Sequence, residues 1–208
     1  TYMLTSSWAV VNVVKSCHAN VCFLHYSTTG LTDKPSIFPL RGKGIYWTPT
    51  REQAVMTEHQ VVARGLEFPE GPIAMPDGSV LLVEMHRKTL SRVSSDGQVT
   101  VVAQLGGGPN GAAIGPDGRC YICNNGGFTF TLKDDQLIPG LLPPDYSGGW
   151  IEAVDLSTGQ SEILHRDCKG VSLRGPNDLV FDQYGGMWFT DSGKMVGRKR
   201  DRGAVYYA

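Results

Sequence analysis

The chain has 208 residues, 19 Lys plus Arg against 20 Asp plus Glu, and a net charge of −1. That balance excludes the basic footprint of a nucleic-acid or anionic-membrane binder, and the length suffices for one buried core. Glycine is high at 26 residues, which favours short strands joined by Gly-rich turns and an all-β chain.

Residues 1–55 carry no repeat and no clean strand or helix period. The apolar run Trp8 to Val14 has no basic flank before it and no cleavage site after it. No segment approaches the ~20 apolar residues of a membrane span. These features predict no signal peptide, no membrane partner and a cytoplasmic location. Met56-Thr57-Glu58-His59-Gln60 reads as a natural start. The expectation is therefore a non-domain extension over 1–55, with translated upstream sequence as one reading of it, and a domain over 56–208.

From Val61 onward a phrase recurs. It reads Phe68-Pro69-Glu70-Gly71-Pro72, then Gly108-Pro109-Asn110-Gly111-Ala112, then Gly175-Pro176-Asn177-Asp178-Leu179. Each copy leads into an apolar strand, a turn and a second strand. The predicted pairs are Gly71 to Met75 with Val80 to Met85, Ala112 to Gly115 with Arg119 to Asn124, and Leu179 to Phe181 with Met187 to Asp191. The turns between them are Pro76-Asp77-Gly78, Pro116-Asp117-Gly118 and Gln183-Tyr184-Gly185, and Asp-Gly between apolar runs is a strong hairpin signal. Outer strands follow at Thr89 to Ser94, Gln98 to Ala103, Trp150 to Leu156, Gln160 to His165 and Ala204 to Tyr207.

Four antiparallel strands per unit make a propeller blade, in a ring that typically has about 4–8 of them. Glu70 and Asn110 lie 40 residues apart, Asn110 and Asn177 67 apart, so the second unit holds an insertion over Gly126 to Gly149. Blade repeats run ~40–50 residues. The expectation is thus a β-propeller of about three blades, truncated before the fourth strand of the third.

In a blade the second strand returns to the end where the first began. Glu84, Asn124 and Asp191 align there, so Glu70, Asn110, Asn177, Asn124 and Asp191 are expected at one mouth of a central channel. Their oxygen chemistry suits a hard cation; the competing reading is that Pro-Asn-Gly and Asp-Gly are turn chemistry alone. The insertion carries Phe128, Phe130 and Tyr146 and runs up to Trp150. Two readings stay open for it, a cap over the pocket and an exposed loop. The basic stretch Lys194 to Arg202 reads as a solvated loop.

Other chemistries lack their marks. Cys120 and Cys123 form a CxxC inside a predicted strand, where an offset of three sends the side chains to opposite faces; with no second Cys/His pair, zinc is set aside. There is no G-x-S-x-G and no H-E-x-x-H. Gly106-x-Gly108-x-x-Gly111 matches a dinucleotide fingerprint only formally, because Pro109 interrupts it and Pro116-Asp117-Gly118 stands where a helix should begin.

The phrases Leu66-Glu67-Phe68-Pro69-Glu70-Gly71-Pro72, Gly108-Pro109-Asn110-Gly111, Gly175-Pro176-Asn177-Asp178-Leu179 and Trp188-Phe189-Thr190-Asp191 resemble the early-blade motifs of the gluconolactonase family that includes regucalcin. The resemblance covers about 61–208. It implies the first half of a six-bladed propeller with a divalent cation, commonly calcium, with zinc, manganese or magnesium as alternatives. By motif Glu70 and Asn177 take metal-ligand positions, and Asn110, Asn124, Arg174 and Asp191 take substrate-lining ones. Arg174 stands three residues before Asn177 where regucalcin has two.

The implied reaction is metal-dependent hydrolysis of a lactone such as gluconolactone, with a small-molecule partner and a general base outside this sequence. The alternatives are a non-catalytic ligand-binding propeller and a related hydrolase acting on another ester.

Overall fold

The computed structural model describes residues 10–13, 21–27 and 60–208. Most of the 1–55 segment and the start proposed at Met56 lie outside the described residues. Among the described residues there is no helix; the chain is all-β.

Strands β1 (Val10–Val13), β2 (Val21–Ser27) and β3 (Gln60–Arg64) form one antiparallel sheet in that order. The first propeller blade follows as β4 (Pro69–Ala74), β5 (Val80–Glu84), β6 (Thr89–Val93) and β7 (Val99–Gln104), hydrogen-bonded in chain order. The second blade holds β8 (Pro109–Ile114) and β9 (Cys120–Asn124), then the insertion with its hairpin β10 (Phe130–Lys133) and β11 (Gln136–Pro139). It closes with β12 (Trp150–Val154) and β13 (Ser161–His165), giving the order β8-β9-β12-β13. A short hairpin, β14 (Asp167–Cys168) and β15 (Val171–Ser172), leads to the third sheet. There β16 (Pro176–Phe181) and β17 (Met187–Asp191) precede the small hairpin β18 (Met195–Val196) and β19 (Lys199–Arg200), and β20 (Ala204–Tyr207) pairs with β17.

The strands form where hairpin chemistry allows. In each inner pair one turn recurs: Gly78, Gly118 and Gly185 donate to Met75, Gly115 and Asp182 at 3.0, 3.0 and 3.2 Å. The second strands of the first two blades are buried on both faces because each of those sheets is sandwiched, whereas β17 alternates between buried and exposed residues. Cys120 and Ile122 pack with Val83, Leu90 and Val154 between the first two blades. Cys123 packs with Ile151, Leu179 and Phe189 between the second and third. The two cysteines therefore face opposite cores, as their offset of three requires.

The inner strands β4, β8 and β16 lie side by side, and two glycines set their spacing. A Cβ on Gly71 would meet the Ala112 nitrogen at 2.6 Å and the Asn110 carbonyl oxygen at 2.7 Å. One on Gly111 would meet the Asn177 carbonyl oxygen, the Asp178 Cα and the Asp178 Oδ1, each at 2.5 Å. Real Cβ atoms cannot approach that closely, so a larger residue must push the neighbouring blade away. Gly111→Ala should destabilise the fold by about 1–3 kcal/mol, the usual cost of overpacking. Gly106→Ala, whose Cβ would find nothing nearer than the Trp150 ring at 3.7 Å, should stay within ~0.5 kcal/mol. Denaturant unfolding of the two variants checks this, and equal costs would contradict the spacing role.

Candidate functional site

The three phrases occupy one structural place. The sequence pattern puts them before the inner strands; they are in fact the first residues of those strands. Pro69 sits opposite Glu84, Pro109 opposite Asn124 and Pro176 opposite Asp191. The ladder slips after Glu70, which still pairs with Val83, after Pro109 and after Pro176, and register resumes at Ile73–Leu81, Ala112–Ile122 and Leu179–Phe189. Such a bulge sets two residues against one and re-aims a side chain. Proline suits the opening position because it has no N–H to give the ladder.

Asn110 and Asn177 thus stand on bulges and Glu70 immediately before one, the three brought together by the Gly71 and Gly111 contacts. Glu70 is half-buried, Asn110 is 9% exposed and Asn177 is exposed. Among the described residues the side-chain amides of Asn110 and Asn177 make no hydrogen bond.

Glu84, Asn124 and Asp191 come to the same end but do different work. Asn124 is fully buried. Its Oδ1 accepts from the Gly108 and Gly126 N–H groups at 2.8 and 3.1 Å, and its Nδ2 donates to the Gly106 carbonyl and Glu152 Oε1, both at 2.8 Å. Asp191 accepts from the backbone N–H groups of Arg174 and Gly175 at 2.7 Å and of Gly193 at 2.8 Å. Buried Glu84 accepts from the Glu67 N–H at 2.7 Å and from Ser91 Oγ at 2.7 Å.

The residue after each of the three donates to the carbonyl just before the proline: Met85 to Phe68, Asn125 to Gly108 and Ser192 to Gly175. These three side chains are latches that fasten the segment entering each phrase. The sequence expectation set Asn124 and Asp191 on the pocket wall; the structure has their oxygens turned to backbone, since strand-end burial leaves those N–H groups no other partner.

Arg174 lies beside the third phrase. Its Nε donates to Asp201 Oδ2 at 3.2 Å and its guanidinium stands 5.6 Å from the Tyr146 ring centre. The bond to Asp201, with Tyr146 next, raises its pKa.

Two buried groups were not legible as site residues. Glu152, held by Asn124 and by Trp150 Nε1 at 3.0 Å, has its pKa raised by burial. Its signal is an acid inside the apolar run Trp150 to Val154.

Lys194 is the other. It belongs to the basic stretch read as a solvated loop; Arg198, Lys199 and Arg200 are indeed exposed, but Lys194 is 4% exposed. Its Nζ donates to Asn125 Oδ1 and the Gly127 carbonyl, both at 3.2 Å, and lies 3.6 Å from the Phe128 ring centre. Burial pulls its pKa down to about 8, with Asp191 acting in the opposite sense.

The donor set offered by the bulges is hard oxygen: one carboxylate and two amides. Among the described residues no three His, Cys, Asp or Glu side chains gather in a metal-binding group. Any cation at this end would therefore meet an amide-rich set, which suits calcium or magnesium rather than a thiolate- or imidazole-seeking metal.

The SMP-30/gluconolactonase/LRE-like family profile matches residues 68–208. The chain belongs to that family. A gluconolactonase of Zymomonas mobilis is 25% identical over 151 residues, covering 66% of this chain and 36% of the relative. The structure of a gluconolactonase from Xanthomonas campestris superposes with a TM-score of 0.50 at 20% identity, over 68% of this chain and 44% of that one. The likeness in structure supports the propeller fold. The chain spans between about a third and a half of the length of these gluconolactonases. Among the described residues no helix is long and apolar enough to cross a membrane.

The division between latches and bulge residues is testable in this family member. Asn124→Leu strands the buried Gly108 and Gly126 N–H groups, at about 1–3 kcal/mol each. It should destabilise the chain by at least about 2 kcal/mol. Asn110→Ala, which breaks no side-chain hydrogen bond among the described residues, should cost under about 1 kcal/mol. Thermal or denaturant unfolding decides, and the reverse ranking would contradict the division.

Proposed function

We propose that the bulge end of these sheets is the mouth of the central channel of a metal-dependent lactonase, and that the protein hydrolyses a sugar lactone such as gluconolactone. The observation that carries this reading is the contrast between asparagines. Asn124 makes hydrogen bonds with both ends of its amide, whereas among the described residues Asn110 and Asn177 make none and stand with Glu70 at the openings of adjacent inner strands. Membership of the family and the gluconolactonase relatives support the substrate class.

On this reading Glu70 and Asn177 supply oxygens to a divalent cation, calcium first, with zinc, manganese or magnesium as alternatives. When bound, the cation polarises the lactone carbonyl. Asn110, on the neighbouring bulge, orients the lactone through its amide N–H and C=O. Arg174, fixed by Asp201 against Tyr146, puts a positive charge beside the third phrase, where the product's carboxylate develops. Asn124 and Asp191 act on substrate only through the backbone they hold.

Hydrolysis adds water across the acyl C–O bond, opens the ring and leaves a hydroxy-carboxylate. A base must take the water's proton, and none of the described residues is assigned that task.

The test is glucono-δ-lactone hydrolysis by the full-length protein, wild type and Asn177→Ala, with and without a chelator. Activity should fall at least about 100-fold in the variant and on chelation, an effect of the size seen when a transition-state contact is lost, while unfolding stays within ~1 kcal/mol of wild type. Unchanged turnover in Asn177→Ala would overturn the assignment. Absence of any turnover, with lactone still bound, would favour a non-catalytic ligand-binding propeller.

A further inference from the structure

The insertion of the second blade does not project away from the molecule. It leaves β9 at the bulge end and touches both neighbouring blades there. On the first blade, Phe130 of β10 packs 5.3 Å from the Phe68 ring and edge-on to His86 at 5.0 Å. Phe68 opens the first phrase, two residues before Glu70, and His86 is held by Glu67 at 2.7 Å. On the third blade, the Tyr146 hydroxyl donates to the Arg174 carbonyl at 2.6 Å. The insertion therefore bridges blades on either side of its own, over the end where Glu70, Asn110 and Asn177 stand.

Lys194 lies at the third-blade side of that bridge, three residues past the Asp191 latch. Its ammonium reaches across to Asn125, which leads into the insertion, and to Gly127 within it, with the Phe128 ring against it. The charged groups around it are few. Asp191 faces it from β17, Tyr146 stands 5.6 Å away, and Asp201 accepts from its backbone N–H while holding Arg174. Among the described residues no carboxylate forms an ion pair with its Nζ.

A buried ammonium without a carboxylate is costly unless its donors are used and the site needs its reach. One of the two bonds ends on the insertion, at Gly127, and the other on Asn125, the residue that leads into it. The ring of Phe128 supplies a cation–π face, which gains strength when desolvated.

We propose that Lys194 is the positioning residue that fixes the 126–149 insertion across the bulge end, making the insertion a size filter for what enters. Methionine or another apolar residue would fill the volume but strand the Gly127 carbonyl, and the insertion would lose its third-blade address. The placement stands without the lactonase reading; only the filtering of lactones rests on it.

Two measurements on the full chain test this. In the first, a water-soluble acetylating ester is applied to the wild type at pH 8 and each lysine is followed by peptide mass spectrometry. Lys194 should react at least ten-fold more slowly than exposed Lys133 and Lys169. An amine with a pKa near 8 that was open to the reagent would outpace those residues, so equal or faster labelling overturns the proposal.

In the second, hydrogen exchange is compared between wild type and Lys194→Cys. Amides of 126–149 should exchange at least ten-fold faster in the variant, with β5 and β9 unchanged. Aminoethylation of the introduced cysteine, which rebuilds the ammonium, should restore protection, with equally treated wild type as the control. Unchanged exchange in 126–149 overturns the proposal, and if the variant fails to fold the labelling rates decide.

With lactones as probes, Lys194→Cys should lower KM for a bulky aryl lactone several-fold relative to a small one, leaving kcat nearly fixed. An unchanged KM ratio overturns the filter. Lack of turnover by the wild type would count against the lactonase reading and leave the exchange result to decide the placement.

Discussion

The structure depends on how closely neighbouring inner strands approach at Gly71 and Gly111. At both positions the next blade's backbone lies where a side chain would begin. That contact is tighter than any pair of side chains permits. It fixes the angular spacing of the blades, and with it the distance between one phrase and the next. The third phrase has Asp178 at the equivalent position, so the repeat changes there. Everything proposed for Glu70, Asn110 and Asn177 as a group follows from this backbone contact.

A second constraint holds each phrase at a constant height. The segment entering an inner strand carries N–H groups that the ladder does not use. Glu84, Asn124 and Asp191 take them up from the end of the neighbouring strand. A carboxylate and an amide are interchangeable in that task because each offers an acceptor oxygen to an N–H. On the proposed reading the same oxygen chemistry serves two purposes at one end of the fold, backbone anchoring by the buried set and ligand contact by Glu70, Asn110 and Asn177.

That shared chemistry explains what was legible in the sequence. The hairpin turns, the apolar second strands and the repeated phrase predict the blades closely, and Met187 to Asp191 and Ala204 to Tyr207 coincide with β17 and β20. The phrase itself reads as lying ahead of its strand because proline and glycine ordinarily interrupt one. In the fold they open the strand through a bulge.

Asn110 and Asn124 could not be told apart by type or by spacing, since β8 begins and β9 ends at the same end of the sheet. What separates them is whether a neighbouring N–H lacks a partner, and that depends on the Gly106 to Gly108 segment folding over Asn124. Lys194 was illegible for a related reason. Its burial comes from Asn125 and Phe128, more than 60 residues earlier in the chain, while its local company of basic residues is solvated.

The central claim is that the bulge residues form a hard-cation site at one end of the propeller. Calorimetric titration of the full-length protein and its Glu70→Ala variant with calcium tests it most directly. The account predicts one-to-one binding in the wild type, lost or weakened at least about 100-fold in the variant, a difference of about 2.7 kcal/mol. Matching isotherms for the two proteins, or no heat of binding in the wild type, would contradict it.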